Sequence, residues 1–445
     1  MSLSITIPTV IEACLEAINA KNNNAFILTF AKDSIVIDEG RQHNGINEIR
    51  AWSAEALIRH DASVTTKQSI QYGTSTIVHV IMNGDFEADY GITEPFTLFF
   101  DFTISNHTIT HLTITPWNPA TTPVMKAALA TKSSPSDPLS SILITSRPQA
   151  NPPSGWVKVK IAAASLNYHD IFTLCGHGQH PLKFPRILGC EGAGILEDGS
   201  RVVLYPGMGD ADWKEDETLD PSRHVLSEIT DGTLAEYVIV PTRNSVLIPE
   251  EMSFETAAVL GVAWLTAYRM LFTKSGLRAG QTMLVQGSSG GVSTALIQLG
   301  TAAGMRVWCT GRTPQKKTLG LRLGAEKAFE ANEELPEKVD AVFDTSGEVT
   351  WAHTMASVKT GGTVVTCGGH SGRGVLIDIT KVFVQQIDIR GSYLGTLEEF
   401  KDLISLVVAK DIKPHVGLVV PLEEAVEGFR KMLDGETEGK IVVTV

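Results

Sequence analysis

Apolar residues recur along this chain with three different periods, and each period predicts a different architecture. Near the start Val10, Ile11, Cys14, Leu15 and Ile18 repeat at helical spacing, and a second helix is predicted from Ile46 to Leu57. The pattern then turns to alternation: TSTIVHVIMNG, FTLFFDFTIS and THLTITPW predict three long antiparallel strands separated by turn residues. Helices followed by a curved sheet predict an α+β cone, open at one end. In TPWNPATTPVMKAALA, Pro116, Pro119 and Pro123 flank small and hydroxylated residues, which predicts a linker.

Beyond the linker, VKVKIAAASLNYHD through GCEGAG reads as short strands and tight turns, and the Ser- and Pro-rich stretch from Ser133 to Pro153 as hairpin loops of the same domain. From Gln281 to Val365 buried strands alternate with helices. Strand MLVQG, helix Val292 to Ala303, strand RVWCT and helix Lys316 to Leu323 form a β-α-β-α unit, followed by strands AVFDTS and TVVTCG. That order is the mononucleotide half of a doubly wound sheet, with ligands expected at the carboxyl ends of its strands.

Bulk properties narrow the function classes. A chain of 445 residues exceeds one ordinary core and implies about two to three domains. The formal charge of −13, with no basic cluster resembling a nucleic-acid footprint, argues against nucleic acid or an anionic membrane as partner. No apolar run reaches the roughly 20 residues of a membrane span, and the start lacks a leader pattern, so a soluble cytoplasmic protein is expected. Cys14, Cys175, Cys190, Cys309 and Cys367 are scattered without CxxC spacing, which suits a reducing compartment.

The chemistry concentrates in VQGSSGGVSTALIQLGTAAG, where a strand feeds a helix. Gly287, Gly290 and Gly291 let the backbone pass close to a pyrophosphate, while Ser288, Ser289 and Val292 complete a turn whose helix offers free N–H groups and a favourable dipole. At the end of the next strand an NAD site usually keeps an acid against the ribose. Here Gly311 stands there, followed by Arg312-Thr313-Pro314-Gln315-Lys316-Lys317, so Arg312 and Lys316 predict an NADP(H) site that welcomes a 2′-phosphate. A solvated basic helix start is the competing reading.

From Met125 to Val445 the chain resembles the medium-chain dehydrogenase/reductase superfamily, on AAASLNYHD, FPRILGCEGAG, DGTLAEYVIVP, LGVAWLTAYRML, GSSGGVS, DTSG, GGTVVTCGG, RGSYLGTLEEF and the terminal GKIVV. The resemblance implies a GroES-like substrate domain at 125–250, a Rossmann domain at 251–390 and a carboxyl-terminal stretch, 391–445, that completes the substrate domain. Where alcohol dehydrogenases of that superfamily hold catalytic zinc, the matching positions are Asn167, Cys190 and Val262, and the loop for a structural zinc is GMGDADWKEDETLDPSRHVLSE, without cysteine. Three protein ligands are the usual need, so no metal is expected at either place.

Without a Lewis acid, hydride addition to a carbon conjugated with a carbonyl is easier than reduction of an isolated ketone, because the charge spreads onto an enolate oxygen. The expected activity is NADPH-dependent reduction of an enone, enoyl or quinone substrate, as in the zinc-free quinone oxidoreductases and enoyl reductases that the SLNYHD motif resembles. By that resemblance Asn167 contacts the nicotinamide ribose and the reacting end; its other role is a turn cap. Tyr168, read as lying in a strand, offers a phenol to the enolate or is packing, and His169 and Cys190 are weaker candidates. Thr266 is placed near the cofactor and Tyr268 in the core. Ser346, Gly347, Gly368, Gly369, Ser392 and Tyr393 are tipped toward cofactor contact by the family match. Two other functions stay open: a zinc-free carbonyl or alcohol oxidoreductase, and a non-catalytic dinucleotide-binding protein. The segment Leu376 to Ile389 is read as an edge strand that pairs with its twin in a homodimer.

Upstream, FAKDSIVIDEGRQHNGINEIRAW resembles the nuclear transport factor 2-like superfamily, including SnoaL-type cyclases, over residues 1–118, with the linker at 119–124. The resemblance implies a pocket, and Asp38, Glu39, His43, Trp52, His79, Asp101 and His111 are its polar candidates. Asp101, flanked by phenylalanines, is a candidate catalytic base if it points inward and merely solvated if it does not. A binding or dimerising role competes with a cyclase, isomerase or dehydratase, and the fusion would fit specialised-metabolite synthesis.

Overall fold

The computed structural model describes residues 7–38, 40–87, 92–93, 95–118, 120–178 and 180–445. Glu39 and the linker residue Pro119 therefore lie outside the described residues. Two compact units divide the chain: residues 1–125 with 145–149, and residues 126–144 with 150–445. No described helix is long and apolar enough to cross a membrane.

The first unit places three helices on one six-stranded sheet. Helix α1 (Thr9–Asn19) buries Ile11, Cys14, Leu15, Ala17 and Ile18 along a single stripe, as the spacing predicts. Helix α2 (Asn23–Leu28) starts where the Asn22 side chain caps the Ala25 N–H. Helix α3 (Gly45–Ser53) runs on into a wider turn over Ala54–Ile58, which covers the predicted second helix. Strands β1 (Phe30–Asp38), β2 (Arg41–Asn44), β3 (Ser63–Tyr72), β4 (Ser75–Asn83), β5 (Phe96–Ser105) and β6 (Thr108–Thr115) order as β2-β1-β6-β5-β4-β3. The β4-β5-β6 meander is antiparallel as expected, whereas β1 joins β6 in parallel.

Alternation decides which side chains meet the helices. Val78, Val80, Phe100, Phe102 and Leu112 share a core with Ile11, Ile18 and Phe26. Successive strand residues face opposite sides, so Asp101, level with Ile77 and Thr113, lies on the face away from the helices, as do His79 and His111. Of the two orientations left open for Asp101 the structure has the one away from the helices, although one of its carboxylate oxygens is buried there without a hydrogen-bond partner among the described residues. In FTLFFDFTIS one parity, Phe96, Leu98, Phe100, Phe102 and Ile104, is wholly apolar, and the parity of Asp101 is polar but for Phe99, so the strand's own alternation already points to its face. On the helix side Trp52 donates to Asp38 at 3.0 Å, and His43 lies 5.7 Å from the Trp52 ring.

The second unit is built mainly on two large sheets. In one, Ser245–Leu247, Arg201–Leu204, Gly192–Leu196, Trp156–Ser165, Lys440–Thr444 and Val416–Pro421 follow in that order, with Tyr237–Pro241 also paired to Trp156–Ser165. The last strand of the chain thus closes a sheet begun almost 300 positions earlier. The other sheet is wholly parallel. Numbered along the chain, Thr282–Val285, Arg306–Gly311, Lys327–Glu330, Val339–Asp344, Val358–Thr366 and Asp388–Gly391 lie in the order 3-2-1-4-5-6. This is the Rossmann arrangement, whose direction reverses between the first and fourth strands and opens a crevice there. Trp264 and Trp308 are fully buried in its cores. The predicted edge strand at Leu376 to Ile389 is instead a loop and the helix Ile379–Val384, and the edge strand itself is Asp388–Gly391.

Candidate active site

The glycine turn forms as its sequence demands. Gly287 has φ +88°, a conformation open to glycine, and its N–H is held by Thr310 Oγ1 at 2.8 Å. Gly290 caps the helix Gly291–Ala302, whose first N–H groups point toward the crevice side of the sheet. A Cβ on Gly291 would lie 2.7 Å from Lys440 Cδ, so this position admits no side chain. Ser288 is buried, and its hydroxyl is tied to the Lys316 carbonyl at 2.6 Å. The Ser289 carbonyl accepts from the Gly439 N–H at 2.7 Å.

At the end of the second strand Gly311 has no room for an acid, since its Cβ would meet Lys317 at 2.9 Å. Of the basic run, Lys317 is paired with Glu330. Lys316 donates to the Gly435 carbonyl at 2.8 Å, and burial with the neighbouring Arg312 charge pushes its ammonium below the ordinary lysine range. Two crowded cations are what an anionic ligand relieves.

A cavity of about 240 Å³ lies in front of the glycine turn. It gathers Asn167, Tyr168, Thr266, Gly290, Gly291, Val292, Gly368 and Gly369 from the expected set. Gly287, Ser288, Ser289, Gly311, Arg312, Lys316, Ser346, Ser392 and Tyr393 do not line it. Burial raises the Tyr168 phenol above its ordinary range, and Arg312 is close enough to offset part of that rise. The Asp344 carboxylate fixes the Ser346 and Gly347 N–H groups at 2.9 Å each. Ser392 Oγ is buried and unpartnered, and Tyr393 lies under Arg223 at 5.6 Å.

Tyr168 is in a helix, not a strand. It opens Tyr168–Leu174, and Asn167 and Asp170 form a capping box around that start. The tyrosine ring stacks on His370 at 5.1 Å, and its hydroxyl donates to the Met432 carbonyl over a long 3.3 Å. Asn167 is more committed than expected: Oδ1 accepts from Lys440 at 2.7 Å, while Nδ2 donates to Glu191 at 2.8 Å and to the Ser165 carbonyl at 3.3 Å. Both amide hydrogens are thus engaged within the protein, while the side chain still lines the cavity. Sequence reasoning missed His370, Phe172 and Lys440 in the cavity wall. Lys440 stood in the quoted GKIVV, but nothing local marks its partners.

The metal expectation can be tested on donor chemistry. Cys190 is fully buried, and burial, then the Asp170 and Glu191 charges, push its thiol well above the ordinary range. Glu191 Oε1 accepts from Ser165, Asn167 and Lys440, and Oε2 from the Val262 N–H at 2.6 Å. Its carboxylate is thus saturated by donors, and no group of three His, Cys, Asp or Glu side chains gathers among the described residues. These residues do not fit a zinc centre.

Comparison with known proteins agrees with this geometry. Residues 153–250 match the alcohol dehydrogenase GroES-like domain, and residues 291–409 the zinc-binding dehydrogenase family. A zinc-type alcohol dehydrogenase-like protein of Schizosaccharomyces pombe is 29% identical over 316 residues, covering 65% of this chain and 91% of that protein. Acryloyl-coenzyme A reductase of Metallosphaera sedula is 29% identical over 315 residues, 66% of this chain and 93% of its own. Quinone oxidoreductase of Mus musculus is 27% identical over 313 residues, 66% and 90%. The crystal structure of an NAD-dependent alcohol dehydrogenase superposes with a TM-score of 0.68 at 29% identity, over 72% of this chain and 100% of that one. With a GroES-like sheet, a 3-2-1-4-5-6 Rossmann sheet and a cavity in front of the glycine turn, the chain belongs to the medium-chain dehydrogenase/reductase superfamily and is an oxidoreductase.

Proposed function

We propose that this protein is an NADPH-dependent reductase of a conjugated carbonyl compound. The observation that carries the reading is the pairing of an acid-free, doubly cationic strand end, Gly311 with Arg312 and Lys316, with a cavity whose donor set does not fit a metal. Relatives named crotonyl-CoA reductase, acryloyl-coenzyme A reductase and quinone oxidoreductase support the substrate class.

The glycine turn Gly287–Gly291 would hold the pyrophosphate, Arg312 and Lys316 the 2′-phosphate, and Thr266, Val292, Gly368 and Gly369 the nicotinamide end. When bound, the reduced nicotinamide supplies a hydride to the carbon β to the carbonyl. Tyr168 is the donor for the oxygen on which charge then collects. Burial raises its phenol despite Arg312, so it stays protonated at neutral pH, and its long 3.3 Å bond to Met432 is easily exchanged. Incubation with NADPH or NADH and a panel of enones and saturated ketones tests the reading. Loss of the conjugated chromophore with the carbonyl retained, faster with NADPH, is expected; turnover of saturated ketones alone would overturn it.

The amino-terminal unit we read as a nuclear transport factor 2-like, SnoaL-like module, on its meander with helices on one face. Asp101 on the opposite face favours a binding or assembly role over catalysis. A homodimer is supported by the exposed Leu376, Ile379, Phe383 and Val384 beside the edge strand Asp388–Gly391.

A further inference from the structure

The cavity wall contains a charge that the reduction described above does not use. Lys440 opens the final strand, and its side chain is 3% exposed against 0% for its partner Glu191. An ammonium has three donors and no acceptor. Here the Leu166 carbonyl, Asn167 Oδ1 and Glu191 Oε1 each lie 2.7 Å from Nζ. All three protons are engaged inside the protein, so none remains for a phosphate or a substrate oxygen.

What the charge does can be read from its partners. Ammonium only donates and carboxylate only accepts, so Lys440 and Glu191 fix the Asn167 amide in one of its two flips. Glu191 also receives Ser165 and the Val262 N–H, and it directly follows Cys190. Three separate segments, at 165–167, 190–191 and 262, are therefore joined through one carboxylate. They are the segments that carry the positions matching the metal ligands of zinc-binding relatives. The lysine stem meanwhile fills the space beneath Gly291, at the start of the helix behind the glycine turn.

We propose that Lys440 is a positioning residue: through Glu191 and the Asn167 amide, its buried charge holds the start of the helix Tyr168–Leu174 and the Val262 segment in register with the nicotinamide end of the cavity. The ion pair thereby performs the cross-linking that metal coordination provides in a zinc enzyme. This inference rests on the reductase reading.

The test uses the full chain and its variants Lys440→Met, Lys440→Arg, Glu191→Gln and the double Lys440→Met/Glu191→Gln. NADPH affinity is read by fluorescence titration, stability by thermal melting, and kcat with an enone the wild type reduces. Lys440→Met should lower kcat about 100-fold or more while the NADPH Kd moves less than about threefold. The double variant, freed of an unpaired buried charge, should regain most of the lost melting temperature but not kcat, and Lys440→Arg should recover at least about a tenth of wild-type kcat. Recovery of kcat in the double variant would reduce the pair to core filling and overturn the proposal. So would a tenfold loss of NADPH affinity at unchanged kcat, which would mean direct nucleotide contact. Should Lys440→Met not fold, the double variant and Lys440→Arg decide the matter alone. A wild type that binds NADPH yet reduces no conjugated carbonyl sinks the reductase reading and this inference together; the other adverse outcomes sink the inference only.

Discussion

Lys440 and Arg269 are both deeply buried cations held by carboxylates, yet they sit in opposite kinds of surroundings. Lys440 faces Glu191, which is fully buried and accepts from four groups, so the pair is closed on itself. Arg269, 2% exposed, reaches Asp216, 29% exposed, and Glu399, 14% exposed. Asp216 belongs to the cysteine-free lobe that stands where the resemblance places a structural zinc, and Glu399 caps the helix Leu397–Ala409. The first pair sets the geometry of a cavity; the second pins a lobe to a helix. Their difference shows that burial of the cation alone does not measure an ion pair. What matters is whether its partners can reach water once it is gone.

Changes at these two pairs would break or sharpen that contrast. Glu191→Ala strands the Lys440 ammonium and should lower unfolding free energy by about 3–5 kcal/mol in urea titration; a loss no larger than that at Arg269 would erase the distinction. Arg269→Met leaves two carboxylates that solvent can reach, and the expected cost is smaller, about 1–2 kcal/mol by the same titration. Acid supplies a finer test. Burial alone would raise the Asp216 carboxyl, but hydrogen bonds from Thr218 and Arg269 prevail and hold it below the ordinary range. Its stabilisation is complete above the unfolded value near about pH 4 and is lost as pH falls through the lower folded value. The wild-type urea midpoint should therefore fall more steeply below that pH than the midpoint of Asp216→Asn. At the bottom of the scale stands Arg306, whose pairs with Glu326 and Glu337 are open to solvent. Arg306→Ala should leave the urea midpoint unchanged within error.

How much of this could be read from residues alone depended on how local each signal was. The Rossmann strands were legible because buried runs such as TMLV alternate with helices, and the glycine turn because its conformation excludes other residues. The helical start at Tyr168 was written locally too, in the Asn167-x-x-Asp170 box, but VKVKIAAAS ahead of it carried the strand pattern too far. The face of Asp101 was written in its own strand, where Phe96, Leu98, Phe100, Phe102 and Ile104 hold the opposite parity. The Lys440 site was beyond reach, since it joins residues 274 positions apart and the lysine sits in an otherwise apolar strand. Similarly, the exposed apolar residues around Ile379 look like a strand until their lack of covering partners is seen.

The bond from the Gly439 N–H to the Ser289 carbonyl ties the chain's final segment to the glycine turn. The segment at Gly439 thus behaves as a latch on the glycine turn. Pulling the strand Lys440–Thr444 out of its sheet would therefore disturb that turn as well, so the two should lose their protection against hydrogen exchange together.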